Sequence, residues 1–188
     1  MSKQPWTQET YHKAYWFAAQ AHHGQVFQGT ELPYIVHPTL VCMEVMAALE
    51  QEPEHDAELA IQCALLHDVI EDSDLTAEQL GDQFPPEVVK GVVALSKNPA
   101  LPKDEQLRDS LNRIQQERPE VWMVKLADRI VNLRPPPAEW RAAKIAAYRQ
   151  DAELIYTRLQ QASPFLAQRL RDKIQAYPPT GGTPQAPV

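Results

Sequence analysis

Basic charge is scarce in this chain: 18 Lys and Arg stand against 25 Asp and Glu, for a formal charge of −7. Binding nucleic acid through counterion release requires a basic face, and the cations here are scattered, which argues against a general nucleic-acid binder and for a small ligand. Long apolar runs are also missing. Stretches such as Val92–Leu95 and Ala64–Leu66 fall far short of a membrane span, and the start MSKQPWTQET lacks the charged-then-apolar build of a secretion signal. The expectation is a cytoplasmic protein without a membrane. Cysteine is limited to Cys42 and Cys63, both among apolar neighbours (LVCMEV and IQCALL), which reads as two reduced, buried small hydrophobes and not a disulfide framework. Strand-like alternation and internal repeats are absent, leaving neither a sheet nor a solenoid to argue from.

What is present is helical periodicity in 188 residues, a length that suits one core. Proline falls where helices start: Ser163-Pro164, His37-Pro38 and Arg118-Pro119 each put it at a first helical position, where the missing N–H does no harm. Thr76 with Gln79 reads as a capping box. The 3.6 period predicts helices over Thr7–His22, Pro38–Leu49, Glu58–Asp72, Thr76–Gln83, Pro86–Ser96, Asp104–Gln116, Pro119–Leu133, Ala138–Gln161 and Pro164–Ala176. The fold class is therefore all-α, a single-domain bundle of about eight to nine helices over residues 1–177. The Pro- and Gly-rich stretch 178–188 has little to bury and is expected to be disordered. Ile145, Tyr148, Ala152, Ile155 and Leu159 form a core-facing stripe, read as structure and not as a site.

Chemistry is concentrated in ALLHDVIED. On a continuous helix His67 and Glu71, and Asp68 and Asp72, lie on adjacent stripes of one face. Their neighbours Ala64, Leu65, Leu66, Val69 and Ile70 are apolar, so the segment is expected to be buried. Carboxylates crowded there cannot all stay ionised without a cation, and His beside Asp offers nitrogen and oxygen ligands suited to a first-row divalent ion. Asp128 sits in a second apolar stretch, VWMVKLADRIVNL, one turn before Asn132; it reads equally as half of a buried pair with Lys125 or Arg129. In LPYIVHPTL the proline after His37 biases it out of helical geometry and fixes it at a helix entrance, as a ligand or as a capping or core histidine.

The order of a histidine, then His-Asp ending an apolar helix, then an aspartate on a later apolar helix resembles the ligand order of the HD phosphohydrolase superfamily. AHHGQ, LPYIVHP, ALLHDVIED and VKLADRIVNL are similar to successive motifs of the RelA/SpoT hydrolase domain and of the stand-alone small alarmone hydrolases, from about Tyr11 to Arg134. That resemblance implies a helical HD-type domain with one Mn²⁺, other first-row ions fitting the same ligands, that removes the 3′-pyrophosphate of a guanosine or adenosine alarmone. It implies His37, His67, Asp68 and Asp128 as metal ligands and Glu71 and Asp72 as the pair that positions or activates the attacking water. Asn132 would line the nucleotide side. All six histidines occur at or before His67, and dinuclear HD enzymes add histidines in the interval that is empty here, so a single ion is expected.

One stretch departs from the family. After AHHGQ the alarmone hydrolases carry a basic pair that meets base and phosphates, whereas this chain has Val26, Phe27 and Gln28 and one extra residue before Pro33. Phe27 can stack on a base and Gln28 can hydrogen-bond; the other reading packs Phe27 under its loop. Among cations that would compensate, Arg129 and Arg134 flank Asn132, while Lys97, Lys103, Arg108 and Lys125 read mostly as solvated surface charges. His22 matches the family motif and reads as structural. The expected partner is a phosphorylated nucleotide, and a homo-oligomer is compatible with the sequence. Two alternatives follow from the lost basic pair: a phosphatase acting on a nucleoside monophosphate or NADPH, and a nucleotide sensor of HD type.

Overall fold

The computed structural model describes residues 6–178. Nine α-helices follow one another among these residues: α1 (Gln8–Ala21), α2 (Val36–Gln51), α3 (Ala57–Leu66), α4 (Ala77–Gly81), α5 (Pro86–Leu95), α6 (Lys103–Ile114), α7 (Pro119–Asn132), α8 (Ala142–Leu159) and α9 (Pro164–Ala176). A single 3-10 turn, Gln160–Ala162, joins the last two. No strand occurs among the described residues, where one isolated bridge, Val26 to Pro33, closes the loop after α1. The all-α expectation is borne out. No helix of the described residues is long and apolar enough to cross a membrane.

Local chemistry starts most of these helices. Thr7, Asp56, Thr76 and Ser163 each accept an early backbone N–H with the side chain, and Thr76 with Gln79 forms the full capping box. Proline opens α5, α7 and α9. The central element is α3, in which every residue but Glu58 is buried. It is enclosed by α1, α2, α5 and α7. A helix apolar on all sides must be wrapped by others, and this one carries His67 and Asp68 at its C-terminal end. Cys42 and Cys63 are free and buried, as expected.

Three boundaries differ from the periodicity reading. α3 stops at Leu66 and does not run on to Asp72; residues 67–74 are turns and bends. The His67 ring is the cause, because its Nδ1 bonds the Ala64 carbonyl at 2.8 Å, the acceptor that the next helical N–H would otherwise use. α2 begins at Val36, so His37 lies inside its first turn and Pro38 is third, not first. The first four N–H groups of a helix have no intrahelical partner, so proline is tolerated there too. α8 begins at Ala142, not Ala138. Residues 137–140 form a turn closed by Trp140 N–H on the Pro137 carbonyl, and the Trp140 ring packs edge-on against Tyr148, 5.1 Å between centroids. The tail read as disordered lies, from residue 179 onward, outside the described residues.

Candidate active site

Two helices and one helix end converge on a point. His37 comes from the first turn of α2, His67 and Asp68 from the turn that ends α3, and Asp128 from the last turn but one of α7. The Nε2 atoms of His37 and His67 stand 3.2 Å apart. Asp68 Oδ2 lies 3.0 Å from His67 Nε2 and 3.4 Å from His37 Nε2, and Asp128 Oδ1 lies 3.4 and 4.0 Å from His37 and His67. Ligands held roughly 2.0–2.2 Å from one divalent ion must stand roughly 3–4 Å from each other, which is the spacing found. Among the described residues, His37, His67 and Asp128 form the one group with ligand atoms all within 4.8 Å, and all three are buried.

The donor chemistry fits an ion as well. A carbonyl only accepts, so the bond from His67 Nδ1 to Ala64 O fixes the proton on Nδ1 and leaves the Nε2 lone pair facing the cluster. Burial works against a charged His37, but the Asp128 and Asp68 carboxylates outweigh it and raise the ring to about 9. Burial opposes charge at His67 too, and Asp68 again turns the balance upward. Burial likewise pushes the two carboxylates up, but the imidazoles pull Asp68 well below the usual range, and Lys125 with the imidazoles does the same for Asp128. The cluster thus holds positive charge tightly, on protons or on a cation.

Around the cluster the polar groups are mostly engaged. Tyr34, from the loop before α2, donates its hydroxyl to Asp68 Oδ2 at 2.6 Å and to Asp72 Oδ2 at 3.2 Å. Burial and Asp68 raise the Tyr34 hydroxyl, which keeps it a donor. Lys125 reaches Asp128 Oδ2 at 3.0 Å, and Asn132 donates its amide to Asp128 Oδ1, so α7 orients its own carboxylate from one turn on either side. Glu71 accepts the backbone N–H of Lys97 at 2.8 Å and pairs with the Lys97 ammonium. Asp72 lies open to solvent beside Asp68; partial burial and the charges of Asp68 and Glu71 raise its carboxyl. Gln25 links this turn to the loop, donating to the Asp72 carbonyl and bonding His22 Nδ1 at 2.9 Å. His22 is therefore held outside the ligand group.

Several sequence expectations are corrected here. Of the two readings of Phe27, packing under its loop is the one that the burial favours: it is 4% exposed, with its ring 5.3 Å from that of His37 and the Arg134 guanidinium 3.9 Å over its centroid. Gln28 is exposed and uses its backbone carbonyl, which accepts from Arg134 at 3.1 Å. Lys125 is not a solvated surface charge, since its side chain is mostly enclosed against Asp128, whereas Lys97, Lys103 and Arg108 are exposed as expected, Lys97 while pairing with Glu71. Arg129 is buried with its guanidinium 4.4 Å over the Tyr148 ring, and its Nε and Nη1 lack partners among the described residues. Tyr148, read as part of a purely structural stripe, is thereby drawn to the helix that bears Asp128. Tyr34 and Gln25 lay within the quoted motifs but had no role assigned.

An HD-domain family profile matches residues 14–164. The chain belongs to the HD-domain family. Among curated proteins, this HD-domain chain is similar to guanosine-3′,5′-bis(diphosphate) 3′-pyrophosphohydrolase MESH1 of Danio rerio, 32% identical over 160 residues that make up 82% of this chain and 87% of the relative. The Homo sapiens enzyme of the same name is 31% identical over the same shares. A guanosine-3′,5′-bis(diphosphate) 3′-pyrophosphohydrolase of Aquifex aeolicus is 34% identical over 137 residues, 71% of this chain but 19% of that longer protein. A solved structure, described as a metazoan orthologue of SpoT that hydrolyses ppGpp, matches with a TM-score of 0.78 at 25% identity over 92% of this chain and 98% of the other. The resemblance to RelA/SpoT hydrolases read from the motifs is borne out.

Proposed function

We propose that this chain is a divalent-metal-dependent hydrolase that removes the 3′-pyrophosphate from guanosine-3′,5′-bis(diphosphate) or its adenosine counterpart. The observation that carries the reading is the convergence of His37, His67, Asp68 and Asp128 beside an acidic pair. It is supported by similarity, over most of the chain, to enzymes named for that reaction. The four side chains would hold one ion, taken as Mn²⁺. Bound there, it would offset phosphate charge and lower the pKa of water.

The remaining chemistry falls to the acidic pair. Water adds to the phosphorus attached to O3′, the P–O3′ bond breaks, and pyrophosphate leaves. Asp72, with its raised carboxyl and its place beside Asp68, accepts the water proton and passes it to O3′. Glu71, engaged by Lys97, anchors the turn and keeps Asp72 in place. Asn132 and Lys125 hold Asp128 in its ligating orientation.

The test is to incubate Mn²⁺-loaded protein with guanosine-3′,5′-bis(diphosphate) and separate pyrophosphate from orthophosphate. Pyrophosphate with GDP is the expected outcome, and Asp72→Asn lowers kcat on the order of 10²–10⁴-fold. Orthophosphate as the sole product would replace this reading with a nucleotide phosphatase, and no product with retained nucleotide binding would replace it with a sensor.

A further inference from the structure

The loop between α1 and α2, residues 24–35, contains no Lys or Arg, yet a guanidinium sits on it. It comes from Arg134, 106 residues further on and just past the end of α7, and it lies 3.9 Å over the centroid of Phe27. The Phe27 ring in turn touches the metal centre, 5.3 Å from His37 and 6.4 Å from Tyr34 by centroids. One edge of the guanidinium is committed, since Nη2 donates to the Gln28 carbonyl. A stack and a hydrogen bond together fix a planar group in both tilt and rotation.

Its charge has no counter-ion. Among the described residues Arg134, like Arg129, meets no carboxylate, whereas Arg113, Arg118, Arg149 and Arg169 each pair with one. Burial depresses the Arg134 guanidinium from its ordinary value, though a guanidinium stays charged in proteins. A half-buried, unpaired, rigidly held cation beside a catalytic cluster is favourable only if something supplies electrons to it. Phe27 covers one face of the guanidinium, and a second π-system would stack on the opposite one. The phosphate end of a nucleotide belongs at the metal centre, from which the guanidinium is offset by the Phe27 ring.

We infer that Arg134, clamped on Phe27, is the platform on which the purine ring of the substrate stacks, forming a Phe27–Arg134–base sandwich. This rests on the nucleotide pyrophosphohydrolase reading for the class of ligand. Specificity for a purine nucleotide then arises from the end of α7 and not from the α1–α2 loop, which supplies the apolar support.

The experiment measures calorimetric affinities of Mn²⁺-loaded protein for GDP, which has the base but no 3′-pyrophosphate, and for inorganic pyrophosphate, which has no base. Arg134→Gln is expected to weaken GDP about tenfold, as loss of one base stack does, and to leave pyrophosphate within about twofold. Arg134→Lys keeps the charge without the plane and is expected to lose GDP affinity as well, while both variants keep the wild-type melting temperature. GDP bound by either variant as tightly as by wild type overturns the inference. A parallel loss of pyrophosphate affinity assigns Arg134 to the phosphates and overturns it too, as does a wild type that does not bind GDP. Should wild type release no pyrophosphate from guanosine-3′,5′-bis(diphosphate) while Arg134→Gln still loses GDP selectively, the proposed reaction fails and the stacking assignment stands.

Discussion

Two buried imidazoles with Nε2 atoms 3.2 Å apart repel if both are charged and leave two lone pairs in conflict if both are neutral with Nδ1 protonated. The structure relieves this by crowding carboxylates around them, and then tethers the carboxylates. Tyr34 does most for Asp68. Its hydroxyl, 2.6 Å from Oδ2, is the single side-chain donor to that oxygen other than the histidines among the described residues, and the same hydroxyl reaches Asp72. Tyr34→Phe removes the donor and keeps the ring that packs on His22, 4.7 Å between centroids. Outer partners of this kind typically contribute 10–100-fold to metal affinity or activity, so Mn²⁺ affinity should fall by roughly that factor with little change in melting temperature of the metal-free protein. Titration of Mn²⁺ into both proteins decides it, and equal affinities would remove Tyr34 from the ligand-orienting shell. The four converging residues were legible as candidates because their neighbours in sequence are apolar. Tyr34 was not, because its role depends on an aspartate 34 residues away. The cover that Arg134 places on Phe27 was hidden for the same reason, since it comes from a residue far along the chain.

At the scale of elements, α3 owes its position to close packing against α5 and α7. Gly91 of α5 faces this contact: a Cβ built there would stand 2.8 Å from Cys63 Sγ and 2.9 Å from Val121 Cγ2, both in fully enclosed side chains. Neither can swing aside, so Gly91→Ala is expected to push α5 away from α3 and α7 despite the better helix propensity of alanine. Overpacking of this kind typically destabilises by ~1–3 kcal/mol, more than the ~1 kcal/mol that alanine gains in a helix. Denaturant unfolding of the variant checks the sign, and a midpoint at or above wild type would show that the contact yields. Nothing in the local sequence marks Gly91, whose neighbour Cys63 lies on another helix. Helix starts with a side-chain cap or an opening proline, such as those of α1, α4, α5, α7 and α9, were readable because the signal is local. The end of α3 was not, because apolar periodicity continues through Val69 and Ile70 while the His67 ring diverts the backbone.

At the scale of the whole molecule, the candidate ligands are spread along the chain, at residue 37, residues 67 and 68, and residue 128. An ion held by all four ties α2, the end of α3 and α7 into one point, and no unfolded chain can present that arrangement. Binding therefore adds directly to folding stability. At an ion concentration 100 times the dissociation constant the gain is about 2.7 kcal/mol, which for a chain of this size corresponds to a rise of roughly 5–10 °C in melting temperature. The metal-free protein should still fold, because α3, α5 and α7 bury Leu65, Val92, Leu126 and their neighbours completely through apolar contacts that do not involve His37. The expected scans are then a cooperative transition in EDTA, the same transition shifted upward by Mn²⁺, and no shift for His67→Ala, which deletes a ligand without touching the Lys97–Glu71 or Lys125–Asp128 pairs. A wild type indifferent to Mn²⁺, or a His67→Ala variant shifted as much as wild type, would place the ion elsewhere and leave the cluster as a proton-bridged polar core.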